Sequence, residues 1–283
     1  MKHPEVELHV DKKSPKEVSS TIDGLRVSIA SGSAAVVVHD VVAEDDAQAE
    51  SIARVAANKF LDILAVNHGY FAILKEDSLC FNVPKAGQSE VSRRIVIRER
   101  ATLVETCELR KLAADGTVLY DSAKPGHVEA AHMNAMSYYR KAGVSTDVFE
   151  SLRNYFLAAE NASSIIAPEV AKRKGSDRAT FIEGVKRAYG ESDVSLIESV
   201  RRISSIETAM STLEDAANEL YRRYRCALNH SKQGSNRLTP FSPANELAVS
   251  SAIPVMMEVA RRLIRAAGLM DRHAGAEESP CAK

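Results

Sequence analysis

The stretch Ile203-Ser-Ser-Ile206-Glu-Thr-Ala-Met210-Ser-Thr-Leu213-Glu-Asp-Ala-Ala217-Asn-Glu-Leu220-Tyr-Arg-Arg-Tyr224-Arg225-Cys226-Ala-Leu228-Asn229-His230 decides the fold of the C-terminal half. Its apolar positions Ile203, Ile206, Met210, Leu213, Ala217, Leu220 and Tyr224 alternate by three and four, which draws one narrow seam down a helix. The spacing predicts a continuous helix of about 25 residues, from about Ser204 to Leu228, with Ile206, Met210, Leu213, Leu220 and Tyr224 buried. A coiled-coil partner would satisfy the same seam. A bundle core is the simpler reading, because helices predicted next to it in the chain offer a partner.

Upstream, Asp147 and Glu150 stand in capping-box relation ahead of Leu152, Phe156, Ala159 and Ile166, so a helix of about five turns is expected there. Pro168 and Lys172-Arg-Lys174 close it, and a weaker helix is expected from Arg178 to Tyr189 before Gly190. Downstream, Asn229 to Pro243 reads as a loop and Asn245 to Ala267 as the last long helix, bent at Pro254. Residues 144–268 therefore read as an all-helical bundle, and 269–283 as a disordered tail.

The N-terminal half has a different pattern. Residues 1–20 carry Pro4 and Pro15 and are expected to be a loosely ordered lead-in, with His3 and His9 as solvated tail residues. Leu25, Val27 and Ile29 alternate, and Ala34 to Val38 is a β-branched run, which predicts a pair of strands or one bent strand. Glu44-Asp45-Asp46 opens a helix that carries Ile52, Val55, Phe60, Ile63 and Leu64 and stops at Asn67-His68-Gly69, where His68 would stabilise the last carbonyls. Further strands are expected at 70–74, 79–83, 91–97 and 103–112, with a hairpin turn at Asp115-Gly116. A short helix is expected from Glu129 to Lys141. The fold class read from the sequence is α+β: a small α+β domain at 21–143, of antiparallel strands plus one long helix, followed by the helical bundle.

Composition narrows the function classes. A hydrophobic fraction of 45% with 27% charged residues is that of a globular protein, and no apolar run approaches the roughly 18 residues of a membrane span. The opening residues have no apolar signal region, so a cytoplasmic protein with no membrane contact is expected. Four cysteines stand far apart without a C-x-x-C pair, so neither a zinc site nor a disulfide framework is expected. A net charge of -1 excludes a globally basic nucleic-acid binder and leaves room for a local basic patch. There is no glycine-rich phosphate loop, G-x-S-x-G or H-E-x-x-H, and no cofactor or metal is expected.

The basic patch lies at the end of the seam helix. Between Leu220 and Asn245 the chain holds Arg222, Arg223, Arg225, Lys232 and Arg237 and no acid. Arg222, Arg223 and Lys232 fit a solvated helix end, where cations offset the dipole, and with Arg237 they also fit RNA phosphates. Arg225 and His230 are five apart, about 140° around an unbroken helix, so a helix end between them or a second chain is needed to bring them to one ligand. Asn229 shares the face of Arg225 and is placed to orient it.

Arg225-Cys226-Ala-Leu-Asn229-His230 at the end of a long helix resembles the signature of the HEPN superfamily, an Arg followed after four to six residues by a His. The helix with Phe156 and Glu160, the seam helix and Leu238-x-Pro240 before a final helix resemble HEPN-like proteins of the methylamine-utilisation type, over roughly residues 146–267. That resemblance implies a homodimer whose paired motifs form a metal-independent endoribonuclease site. His230 would take the ribose 2′-hydroxyl proton and Arg225 would hold the charge of the phosphorane. Active relatives carry a polar residue directly after the Arg, where this chain has Cys226, with Asn229 as the substitute. The alternative is a non-catalytic accessory protein that uses the bundle to dimerise or bind a ligand and the N-terminal sheet to bind an unknown partner.

Overall fold

The computed structural model describes residues 2–84, 91–97, 110–112, 118–121, 126–127, 133–173, 175–190, 193–203, 210–229, 238 and 242–277. The chain divides into two compact units, 1–132 and 133–283. The class is α+β.

In the first unit, β1 (Lys2–Val10), β2 (Val18–Ile22), β3 (Leu25–Ile29) and β4 (Ala35–Val42) precede helix α1 (Asp46–His68). They are followed by β5 (Leu74–Pro84), β6 (Val91–Ile97), β7 (Arg110–Leu112), β8 (Val118–Asp121) and β9 (Gly126–His127). Seven of these strands form one sheet in the order β6-β5-β1-β4-β3-β2-β9, antiparallel throughout except for β2 beside β9. The pleat sends every second residue to one side, and the register lines them up: Val38 lies between Val6 and Val27, and Val36 between Leu8 and Ile29. All six are fully buried, as are Phe60, Leu61 and Ile63 of α1, which packs on β1 to β4. The Asp45 carboxylate accepts from the Gln48 amide at 2.7 Å and starts α1, and Gly69, at φ 65°, ends it in the left-handed conformation that costs glycine least.

The expected lead-in is instead the central strand β1. Glu5-Val6-Glu7-Leu8-His9-Val10 alternates strictly, and the sheet pairs it on both sides, which outweighs the disorder suggested by the prolines. Residues 70–73 are not a strand: Tyr70 donates its hydroxyl to the Lys12 carbonyl at 2.6 Å, and β5 begins only at Leu74. His68, in the last turn of α1, has its Nδ1 2.6 Å from Lys16 Nζ, a contact between residues 52 apart that the sequence did not suggest. β6 matches its expected span, and β7 pairs antiparallel with β8. The Asp115-Gly116 turn, residues 103–109 and the first residues of the expected helix, 129–132, lie outside the described residues.

The second unit contains α2 (Asn134–Val144), α3 (Val148–Ile166), α4 (Pro168–Ala171), α5 (Asp177–Tyr189), α6 (Ser195–Ile203), α7 (Leu213–Leu220), a π-helical turn (Tyr221–Arg225), α8 (Cys226–Asn229) and α9 (Pro243–Glu277). α3 is the centre, packed on α2, α5 and α9. The Asp147 side chain caps it, accepting from the Phe149 amide at 2.8 Å and the Glu150 amide at 3.1 Å. The unit begins at Met133 rather than at 144, because α2 buries Ala135, Met136, Tyr139 and Ala142 and packs on α3 and α9, with Tyr139 edge-on to Tyr155 at 5.3 Å. α9 runs through Gly268 to Glu277, so 269–277 is helix rather than tail. One interior glycine costs about 1 kcal/mol, too little to stop a long helix by itself.

The seam helix is not continuous. α6 ends at Ile203, Met210 and Ser211 are outside any helix, and Thr212 begins α7 with a capping box. Thr212 Oγ1 accepts from the Asp215 amide, and Asp215 accepts from the Thr212 amide, each at 3.1 Å. The apolar seam does not register this break, because Met210 is buried whether its backbone is helical or extended. Met210, Leu213, Leu220 and Tyr224 are buried as expected, and Ile206 lies outside the described residues.

α3 and α5 cross at Gly184, where an added Cβ would lie 2.6 Å from Ser163 Cβ and 3.0 Å from its Cα. Ser163 is fully buried, and backbone cannot yield as a flexible side chain would. Gly184→Ala is therefore expected to lower stability by about 1–2 kcal/mol, the overpacking outweighing the roughly 1 kcal/mol of helix propensity gained. Urea unfolding of the full chain reads this, and an unchanged midpoint would contradict the tight crossing.

Candidate functional site

α7 packs on α5 and α6, and the π turn that follows it meets α3 and α5 through aromatic rings. Phe156, Phe181 and Tyr221 form a cluster with centroids 5.5–6.4 Å apart, and the Tyr221 ring stands edge-on to Phe156. There the helix widens: the Cys226 amide donates to the Tyr221 carbonyl, five residues back, which makes Tyr221–Arg225 a single π turn. Such turns are rare in α-helices and recur at functional sites.

Glu160, one helical turn beyond Phe156 on α3, meets this turn. The Arg225 guanidinium grips it with two hydrogen bonds, Nε to Oε1 at 2.7 Å and Nη2 to Oε2 at 2.9 Å. The two side chains are only 16% and 17% exposed. Burial works against the charge on Arg225, but the hydrogen bonds and charge of Glu160, joined by Tyr221 and Asp177, more than offset it and raise its pKa. Tyr221 also hydrogen-bonds Glu160, and burial, followed by the nearby carboxylate, pushes its phenol far above the usual range. The result is an Arg225–Glu160–Tyr221 cluster in which, among the described residues, Glu160 occupies two of the five N–H donors of the guanidinium.

Arg222 and Arg223 both lie over Glu219. The Arg222 guanidinium is 3.1 Å from one carboxylate oxygen, and Arg223 is 3.9 Å from the other and 5.8 Å above the Tyr224 ring. The patch that is free of acids along the sequence from Leu220 to Asn245 is therefore not so in space, since Glu219 and Glu160 reach into it. The intervals of three and four from Glu219 were legible in the sequence. The Glu160 contact was not, being 65 residues away from Arg225.

Cys226 is a half-buried free thiol just after the π turn. Asn229 is the last residue of α8, so the described helix runs up to His230. The side chain of Asn229 and residues His230, Lys232 and Arg237 lie outside the described residues. The structure thus joins Arg225 to Glu160 and Tyr221 and leaves its relation to His230 to chemical argument.

No group of three or more His, Cys, Asp or Glu among the described residues is arranged to hold a metal ion, and none of the described helices is long and apolar enough to cross a membrane. A separate cavity of about 270 Å³ lies among α5, α6 and α9, lined by Tyr189, Leu196, Arg202, Pro254 and Glu258 among others. No family model matches the chain, and neither the curated proteins nor the solved structures compared with it give a match.

Proposed function

We propose that the helical unit is a HEPN-like module acting as a metal-independent endoribonuclease, with Arg225 holding the scissile phosphate and His230 serving as general base. The observation that supports this reading most is the bidentate Arg225–Glu160 pair on a π turn five residues before His230. A guanidinium held on one edge by a carboxylate loses little further entropy when its other edge takes a phosphate, which is the preorganisation that charge stabilisation in a transition state requires. An imidazole is the side chain suited to taking the 2′-hydroxyl proton near neutral pH. Arg222, Arg223, Lys232 and Arg237 would follow the RNA backbone, in a protein working in the cytoplasm. Incubation of the full chain with mixed RNA in EDTA tests the reading, with 2′,3′-cyclic phosphate ends as the expected product.

The reading requires two copies of the motif to face one another, so the chain is expected to sediment as a homodimer, and charge reversal at Arg222 and Arg223 to weaken the pairing. A monomer at high micromolar concentration would remove the composite site.

A second reading is favoured by one observation, the match between Arg225 and Glu160 that already neutralises the positive charge, with Cys226 where active relatives carry a polar residue. In this reading the cluster closes the helix end, and the bundle serves as an accessory dimerisation or ligand-binding module, with the sheet offered to a separate partner. Substitution of Arg225 would then lower stability and change no turnover.

A further inference from the structure

The sheet carries a second set of reactive groups on the face opposite its buried valines. Glu5, His39 and Ser28 sit on the adjacent strands β1, β4 and β3, at positions alternating with Val6, Val38 and Val27. Glu5 is directly across from His39, while Ser28 is across from Val37, one pleat along the same face. Ser28 Oγ lies 3.0 Å from His39 Nε2, and His39 Nδ1 lies 3.5 Å from Glu5 Oε1. One imidazole thus stands between a hydroxyl and a carboxylate. Because a carboxylate only accepts, Nδ1 carries the proton and Nε2 is left to accept from the Ser28 hydroxyl.

We propose that Ser28, His39 and Glu5 form a nucleophilic acyl-transfer centre that hydrolyses small carboxylic esters. Ser28 Oγ attacks the ester carbonyl carbon as its proton passes to His39 Nε2. The tetrahedral intermediate collapses, the bond to the alcohol oxygen breaks, and His39 returns that proton to the departing alkoxide. Water then repeats the sequence on the acyl-serine: His39 takes its proton, the hydroxyl adds to the carbonyl, and the proton goes back to Ser28 Oγ as the acid leaves. Glu5 positions the ring and balances the imidazolium formed in each half.

The surroundings suit a small substrate. Val37, half-buried beside Ser28, offers apolar contact for a short acyl chain, and the residue opposite Ser28 on β2 is the small, exposed Ser19. Arg26, exposed and two residues before Ser28 on the same face, supplies a positive charge for the oxyanion. His39 is held below its ordinary pKa, by burial first and then by Arg26, against the opposing pull of Glu5 and Asp40, so it is neutral and able to act as a base at pH 7.

A serine-reactive fluorophosphonate tests the centre in the full chain. The wild type is expected to lose fluoride from the probe and gain a phosphonyl adduct that mass spectrometry places on Ser28. The labelling rate should rise with pH through a midpoint below 6.5 as His39 deprotonates. Ser28→Ala should abolish labelling, and His39→Ala should slow it by about 10²- to 10⁴-fold. Glu5→Gln should slow it less and move the midpoint lower still, since Glu5 raises the His39 pKa, a shift that a purely structural role would not produce. Unchanged labelling in Ser28→Ala would overturn the proposal. So would a folded wild type, by circular dichroism, that takes no label between about pH 6 and 9.

Discussion

His230→Ala is expected to slow RNA cleavage by about 10²- to 10⁴-fold, in EDTA as in buffer alone, while leaving the fold intact. The magnitude is that of removing one positioned general base. In the proposed reaction the 2′-hydroxyl of the RNA would attack as its proton passes to His230, and the departing 5′-oxygen of the next nucleotide would take a proton back from the imidazolium so formed, leaving a 2′,3′-cyclic phosphate. Arg225→Ala should fall in the same assay for a different reason, the loss of charge stabilisation at the phosphorane. Cys226→Ala should change little if Asn229 orients Arg225. Cleavage by His230→Ala at the wild-type rate would place the chemistry elsewhere, and no cleavage by the wild type across diverse RNAs would favour the accessory reading.

Glu160→Ala is expected to destabilise the protein by roughly 3 kcal/mol, toward the lower end for breaking a buried pair because its side chains keep 16% and 17% of their exposure. The cost comes mainly from Arg225, whose largely buried guanidinium loses the carboxylate that grips it and keeps only the more distant charge of Asp177. In a unit of this size, that corresponds to a fall in Tm of about 6–12 °C. Glu160→Ala combined with Arg225→Met should recover most of the loss, since an apolar side chain of similar length needs no partner. If both single variants melt with the wild type, the pair is not structural. If Glu160→Ala melts early and the double variant does not recover, Glu160 has a further role through Tyr221. Comparing turnover in the double variant then separates the two functional readings, because only the ribonuclease needs the charge.

Periodicity was sufficient wherever an element's own residues decide its state. α1 was legible from its acids, its apolar face and its glycine stop, α3 from Asp147 and the Leu152–Phe156–Ala159 stripe, and β6 from its β-branched run. It misled where a local cue competed with a distant partner. The prolines of the first 20 residues suggested a loose segment, but β4 and β5 take that segment as their common neighbour. The even seam from Ile203 to Tyr224 suggested one helix, but Ser211-Thr212 and Asp215 close a capping box within it, a short signal that the longer pattern concealed. The basic stretch after Leu220 looked unopposed because its acids, Glu219 and Glu160, stand outside the window.

The sequence by itself determined that an α+β unit precedes a helical one, that Met210, Leu213, Leu220 and Tyr224 face a core, and that Arg225 and His230 merit chemical attention. These follow from spacing along the backbone and need no knowledge of what lies across from it. Only the tertiary structure decided that Glu160 grips Arg225 across 65 residues of chain, and that Glu5, His39 and Ser28 meet on one face of a sheet. Those contacts are fixed by strand register and helix packing, which depend on the free energy of the whole fold, and no local pattern carries them.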